Sequence, residues 1–588
     1  MRGPRVDRLL FSILFGSLLL SAACGGVHIG GDVSDDAPQH LGALETGVQQ
    51  LVESALIPDY MTRDDEGTRL WKLTRTFYER REFAPAWIDE GSPRPQMDAL
   101  IRAIHAADRE GLDPELYSAS LLDRRKEEAS RGFLTRRGFN PKEAVAMDVR
   151  LTTLYMKFAS DLADGVSDLA RADATWRIEP ESVDPLADLE RALHDNRVAE
   201  SLFEHTPANP DYRALQRALG DYRQQAAHGG WPSVPPDARI KPGQASPYVP
   251  ALARRLAASG DYTGPVPRDG ERSSYGPDLQ DAVKRFQRRH GLTDDGLVGP
   301  LLVAEMNVPI EARIAQLELN MERWRWLPRD LGDRHILVNI PEMSLDVWDH
   351  GSVPLTMRVV VGKPDTQTPI FNDEMTYVVF APFWNVPTDI AKKETLPSVL
   401  RDPGFLDRMN MEIIDASGNP VRADAIDPES TGKYRFRQRP GTSNALGLVK
   451  FMFPNQFNVY LHDTPAHSLF ARASRSLSHG CVRLEQPEKL AEYVLRDQPE
   501  WTPERIAEAM HGGEERVVKL KEPLPVYIGY WTARVTPDHL VQFRRDVYGI
   551  DARLTAKLPE RLGRLRTSAL AAVTATAGDT AVATSGIR

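Results

Sequence analysis

The sequence predicts a multidomain α+β chain: a long helical region, then a small three-helix unit, then a mainly β C-terminal domain. Three observations predict it. Apolar residues recur at helical spacing from about Leu44 to Gly229, the run Gly229-Gly230-Trp231-Pro232 breaks that pattern, and from Ile336 onward the period falls to two. A length of 588 residues, with 41% apolar and 27% charged residues, is enough for several domains with cores of their own. The net charge of −10 comes without a basic block, which argues against nucleic acid as the main partner.

Residues 1–23 carry Arg2, Arg5 and Arg8, then an apolar run of 12 residues from Leu9 to Leu20. That run is too short to span a bilayer as a helix and suits the core of an export signal. Leu20-Ser21-Ala22-Ala23-Cys24 resembles a bacterial lipoprotein box, which implies lipid on Cys24 and a membrane partner through it; cleavage near Ala23 is the alternative. Either way the mature chain is expected in the periplasm or cell envelope. Residues 24–43 read as the lipidated N-terminus and a Gly- and Asp-rich tether.

The region 44–230 reads as a helical packing domain. Leu70, Leu73, Thr74, Phe77 and Tyr78 form one stripe, Met97, Leu100, Ile101 and Ile104 a second, and Leu151, Leu154, Tyr155, Phe158 and Leu162 the cleanest. Residues 241–307 form a compact unit, with Tyr248, Leu252 and Leu256 on one helix. Asp278 is the expected N-cap of a second, with Leu279, Val283 and Phe286 on one face and Gly291 just past its end. Within it, Ala282 to Leu292 and then Asp295-Gly296-Leu297-Val298-Gly299 resemble the small peptidoglycan-binding domain of many cell-wall enzymes. Residues 308–333 are expected to hold a connecting helix from Glu311 to Trp326.

From 334 to 555 the pattern is β. Ile336, Val338 and Ile340 alternate, as do Leu355, Met357, Val359 and Val361, then Met375 to Phe380, and Phe457, Val459 and Leu461. A sandwich or a curled sheet follows. Residues 395–446, rich in Pro, Gly, Asp and Arg, interrupt it and read as a substrate lid or a disordered loop. A helical stretch is expected near 487–498, and Leu524 to Trp531 as a further strand. The Ala/Thr-rich residues 562–588 read as a disordered tail.

The chain has two cysteines. With Cys24 in the leader, Cys481 is left unpaired in an exported protein, within Ser478-His479-Gly480-Cys481-Val482-Arg483. An isolated thiol there points to nucleophilic catalysis. Alternation from Phe457 places His462 opposite the core-facing residues, on an open face with Asn458 and Tyr460, where it can act as acid and base. The imidazole takes the thiol proton to leave a thiolate–imidazolium pair, and a third group fixes its tautomer. Gly480 permits close approach, and backbone N–H groups of its turn are candidates for an oxyanion site. Arg483 suits a substrate carboxylate. The two cysteines offer no zinc set, and no cofactor is expected.

His462 followed after fifteen residues by Ser478-His479-Gly480-Cys481-Val482-Arg483 resembles the signature of the YkuD-type L,D-transpeptidases. Val359-Val360-Val361-Gly362-Lys363, Thr368-Pro369, Trp384-Asn385-Val386-Pro387, Asn444-Ala445-Leu446-Gly447, Lys450-Phe451 and Phe453-Pro454-Asn455 extend the likeness to the large, lid-bearing periplasmic subgroup. The resemblance implies Cys481 as nucleophile and His462 as proton donor and acceptor, oriented by the backbone carbonyl of Asp463. His479 and Gly480 would shape the oxyanion site. Arg483, Ser478, Trp384 and Asn444 would contact substrate. It further implies peptidoglycan stem peptides as substrates, release of D-Ala and a 3→3 cross-link, with 241–307 holding a peptidoglycan strand. Hydrolysis by water, lipoprotein attachment, or a non-catalytic wall-binding lipoprotein are the alternatives.

Overall fold

The computed structural model describes residues 42–557, except 55, 90–91, 135–138, 167–174, 403, 423–432 and 537. The leader, Cys24 and the C-terminal tail lie outside the described residues.

The N-terminal region is helical and built around one long helix, Pro141–Asp164, against which Ala43–Glu53, Asp65–Arg80 and Pro185–His194 pack. Local sequence explains where its helices start. Asn140, Asp184 and Asn209 cap the next backbone N–H groups with their side chains, and each is followed by a proline at the first helical position. The long helix buries Asp148 completely. That carboxylate accepts from the N–H groups of Ala86, Trp87 and Ile88 and from the Tyr78 hydroxyl, which satisfies it away from water.

The unit at 241–307 has three helices, Val249–Ala258, Pro277–Arg289 and Pro300–Met306, around its own apolar core. Asp278 is not the cap expected of it. Gly276 occupies that position without a side-chain bond, Pro277 opens the helix, and Asp278 falls in the first turn, where its charge favours the helix dipole. Gly291, at φ +65°, follows the helix end.

The helix Ile310–Arg325 is no exposed connector. It packs against Pro210–Ala227 and the strand Ala533–Val535, and nearly every side chain on it is buried. Its charges are tolerated because they are paired: Arg323 with Asp551 at 2.5 Å and Arg325 with Glu322 at 2.6 Å. A mixed polar and apolar pattern hid this burial in the sequence.

The C-terminal sheet has nine strands, ordered Ser476–Ser478, Ser352–Gly362, Val482–Leu484, Leu461–His462, Val449–Met452, Phe371–Phe380, Arg516–Gly529, Arg334–Asn339 and Ser344–Asp349. Ser344–Asp349 pairs again with Ser352–Gly362, so the ladder curls back on itself and its two layers are halves of one closed sheet. Phe457 and Val459 do not extend the strand. Asn458 has φ +53°, which breaks extended pairing, and only Leu461–His462 is a strand. A second helix, Pro503–His511, follows Pro487–Val494 and was not anticipated.

The interruption is an ordered substructure. Pro420–Val421, Met411–Ile414, Arg435–Gln438 and Trp384–Asn385 make a four-stranded antiparallel sheet over a separate core of Val386, Leu396, Val399, Met411, Ile413 and Phe436. It begins at Trp384, upstream of 395, because that strand pairs with Gln438.

Candidate active site

Cys481 sits in the turn between Ser476–Ser478 and Val482–Leu484, two short strands paired to Ser352–Gly362, one parallel and one antiparallel. Gly480 has φ +119°, where any side chain is strained. The turn is clamped from several directions. Ser478 Oγ donates to the Cys481 carbonyl at 2.6 Å and accepts from Gly480 N–H at 3.1 Å. Thr368 Oγ1 donates to the Gly480 carbonyl at 2.8 Å, and Tyr548 holds Thr368 N–H and the Gly362 carbonyl.

The register brings the remaining chemistry alongside. His462 pairs with Arg483 on the parallel neighbour and with Lys450 on the antiparallel one. Paired residues on adjacent strands point to one face, so Lys450, His462 and Arg483 stand in a row, with Cys481 two residues before Arg483. The opposite face, Phe451, Leu461 and Val482, is fully buried core.

His462 is 4% exposed, so the open face expected for it is wrong: the ring is enclosed, with the Leu446 carbonyl among its partners. Its Nδ1 lies 2.5 Å from the Asp463 carbonyl oxygen. A carbonyl only accepts, so Nδ1 carries the proton and Nε2 is the basic atom. The Asp463 carboxylate is engaged elsewhere, accepting from Leu448 N–H and Thr464 N–H, and Gly447 at φ +61° makes room for it. Burial, with the Arg483 charge second, pushes the His462 pKa down to about 3, against the pull of the Asp463 and Leu446 carbonyls.

The Cys481 thiol is half-buried and donates to the Asn458 carbonyl at 3.8 Å. Burial raises its pKa, opposed by the N–H and hydroxyl of Tyr460 and by Arg483. Both shifts disfavour the charged forms. Burial of both groups therefore works against the thiolate–imidazolium pair anticipated from the residue types.

Arg483 has no carboxylate partner among the described residues, and its buried Nε has no hydrogen bond. Lys450, on the other side of His462, has its pKa lowered by burial. Three expectations need correction. Ser478 is 2% exposed and holds the turn, so it is a positioning residue without access to substrate. Asn444 is wholly buried and donates to the Pro382 and Arg439 carbonyls, fastening the loop before Gly447. Gly480 N–H is taken by the Ser478 hydroxyl, which removes it from the donors open to an oxyanion. Trp384 lies on the small sheet, packed against that sheet's core. His479 is exposed, and its Nε2 meets Glu394 Oε1 of the insertion at 2.9 Å.

Sequence reasoning missed Tyr460, whose hydroxyl reaches the thiol and whose ring lies edge-on to His462 at 5.7 Å. Its position two residues before His462 was the available signal. Ser478→Ala is expected to cost about 1–3 kcal/mol, because it leaves a buried carbonyl without a donor. Urea unfolding of the purified chain measures it; an unchanged midpoint would refute the clamp.

Residues 333–519 match the family model described as an L,D-transpeptidase catalytic domain, YkuD. Residues 246–306 match one described as "Putative peptidoglycan binding domain", and residues 72–219 match a scaffold domain. A Haemophilus influenzae protein described as "Putative L,D-transpeptidase" is 36% identical over 250 residues, which are 42% of this chain and 50% of that protein. The chain thus spans half the length of that curated relative. Among solved structures, an L,D-transpeptidase from Stackebrandtia nassauensis is 15% identical, covering 51% of this chain and 97% of that one at a TM-score of 0.21. One from Mycobacterium smegmatis is 14% identical, covering 34% and 58% at a TM-score of 0.17.

Proposed function

We propose that this chain, whose residues 333–519 are an L,D-transpeptidase catalytic domain of the YkuD family, cross-links peptidoglycan stem peptides through a thioester on Cys481. The observation that carries the reading is the His462 ring, neutral and locked by Asp463 with Nε2 as its basic atom, on the same sheet face as Cys481 and Arg483.

The reaction has two acyl transfers. Cys481 Sγ attacks the carbonyl of the third stem residue, diaminopimelate, while its proton passes to His462 Nε2. The carbonyl oxygen becomes an oxyanion, received by the Cys481 N–H and the Tyr460 hydroxyl. The C–N bond then breaks, and His462 returns the proton to the departing D-Ala nitrogen. A side-chain amine of a second stem attacks the thioester, gives its proton to His462, and leaves a 3→3 peptide bond; the sulfur regains that proton. Arg483 holds a stem carboxylate. The unit at 241–307 holds the strand, and the chain works in the cell envelope, anchored by lipid on Cys24.

Water in place of the amine yields hydrolysis, and the small sheet over 384–438 serves as the lid that limits it. Its link to the catalytic turn, Glu394 to His479, supports that role. Glu394→Ala keeps the sheet intact and is expected to raise hydrolysis relative to cross-linking severalfold, within the roughly 1 kcal/mol that one hydrogen bond supplies. Mass spectrometry of products from tetrapeptide muropeptides reads the ratio; no change would sink the lid assignment. The same assay tests the function: D-Ala release and a 3→3 dimer that vanish in Cys481→Ala support it, and an intact substrate with the unmodified chain overturns it.

A further inference from the structure

Two cations flank the histidine, one on each side. Val482–Leu484, Leu461–His462 and Val449–Met452 are successive neighbours in the sheet, and their register sets Arg483, His462 and Lys450 side by side on one face. Neighbouring strands lie about 4.8 Å apart, so the Arg483 and Lys450 backbones stand about 10 Å apart with His462 midway. The row has a direction. Cys481 is two residues before Arg483 on the same stretch of chain, so the thiol belongs to the Arg483 end and Lys450 to the far end.

Lys450 lacks an internal carboxylate at ion-pair distance among the described residues. It is half-buried, and burial lowers its pKa, opposed by the more distant charge of Glu515. The Glu515 carboxylate is engaged with Phe383 N–H at 2.9 Å. The next residue along the row beyond Lys450 is Val379, which offers no charge. The Lys450 ammonium nevertheless reaches the base electrostatically: burial and then Arg483 lower the His462 pKa, and the Lys450 charge adds to them. Keeping a partly desolvated ammonium without a carboxylate is costly, and a substrate carboxylate would offset that cost.

The chemistry read for this site brings such a carboxylate to His462 twice. The nitrogen that leaves is that of D-Ala, which bears a carboxylate on the adjacent carbon. The nitrogen that arrives, the side-chain amine of diaminopimelate, also bears a carboxylate on its own carbon. The acyl carbon sits on Cys481, the nitrogen faces His462, and the carbon with its carboxylate lies beyond the nitrogen. That order, acyl carbon, nitrogen, carboxylate, runs in the direction of the row from Cys481 through His462 to Lys450. Pairing also helps the attack. A neighbouring carboxylate stabilises an ammonium, so engaging it with Lys450 eases loss of a proton to solvent. The free amine then forms the C–N bond as the C–S bond breaks, and its second proton passes through His462 Nε2 to the sulfur.

We propose that Lys450 holds the carboxylate on the carbon that bears the reacting nitrogen, and so selects acceptor amines in which that carboxylate is free, not amidated. The assignment rests on the thioester reading of the catalytic domain and names the chemistry of its second substrate. Arg483, at the thiol end, is left to a carboxylate of the acyl donor.

The test measures how the Cys481 thioester divides between amine and water. The full mature chain receives a donor tetrapeptide muropeptide with its side-chain amine acetylated, so that it cannot accept. Tripeptide acceptors are added in two forms, with the carboxylate beside the side-chain amine free or amidated. Mass spectrometry reads cross-linked against hydrolysed donor. Both products come from one thioester, so a general loss of acylation leaves their ratio unmoved. The free acceptor is expected to be favoured about tenfold, the effect of one hydrogen bond to a charged group. Lys450→Gln is expected to bring that preference to about one, and Lys450→Arg to restore most of it. Lys450→Met, which keeps the aliphatic stem, serves if the Gln variant does not fold. Equal use of the two acceptors by the unmodified chain, or a preference that survives in Lys450→Gln, would overturn the assignment. Hydrolysed donor with no dimer from either acceptor would overturn it too, while leaving the thioester standing. A donor left intact by the unmodified chain would overturn the reading of the catalytic domain, and the Lys450 assignment with it.

Discussion

Cys481→Ala is expected to abolish D-Ala release and to remove any covalent adduct with stem peptide, a loss of about 10⁴-fold or more in turnover. The size follows from the role. With no sulfur there is no thioester, and no neighbouring group replaces it: Tyr460 has its pKa raised by burial and by the adjacent thiol, so it stays protonated. The fold should tolerate the change. The turn is held by Ser478, Thr368 and Tyr548 through backbone atoms, and the thiol's bond to the Asn458 carbonyl is a long contact at 3.8 Å. The measurement is paired: intact-protein mass after incubation with tetrapeptide muropeptide, and the thermal midpoint of the same sample. A retained adduct in the variant would place the nucleophile elsewhere. Lost activity with a collapsed midpoint would mean that Cys481 is structural.

His462→Ala is expected to slow thioester formation about 10²–10⁴-fold, the range of a positioned general base. The stronger expectation concerns pH. With a His462 pKa near 3 and the thiol above its ordinary value, the reactive protonation state, neutral imidazole beside thiol, persists across the neutral range. Acylation should therefore show no acid limb near pH 6.5 and should fall only as pH approaches about 3. An acid limb centred near 6.5 would mean that the imidazolium–thiolate pair is the active form. Stability carries the opposite mark of the same shift. Between pH 6.5 and about 3 the unfolded chain binds a proton at His462 that the folded chain refuses, so stability is present above that window and is lost as pH falls through it. His462→Gln removes that dependence, which denaturation at pH 4 and pH 7 compares.

Much of the site was legible because its parts are local. The turn Ser478 to Arg483 is contiguous, and an isolated thiol with Gly480 before it and Arg483 after it is a short-range signal. The Asp463 carbonyl beside His462 is likewise one residue away, and the structure holds it against Nδ1 at 2.5 Å. What failed was inference of environment. Alternation from Phe457 suggested an open strand face, but the positive φ of Asn458 ends that alternation, and the ring is buried with the Leu446 carbonyl among its partners. Ser478 and Asn444 look like contact residues in a motif, and only their neighbours show them buried and occupied by backbone carbonyls.

By itself the sequence determined the chemistry available and the order of the domains: one isolated thiol, one histidine at a fixed spacing, helical periodicity giving way to alternation. These depend on residue type and short-range spacing, which a linear chain records. Tertiary structure alone decided the protonation state of the pair, the burial of the charged helix Ile310–Arg325, the partner of His479, and the row of Lys450, His462 and Arg483. Each depends on which strands or loops pack side by side across scores of residues, and on the solvent that packing removes. The site's composition was therefore readable in advance, and its electrostatics were not.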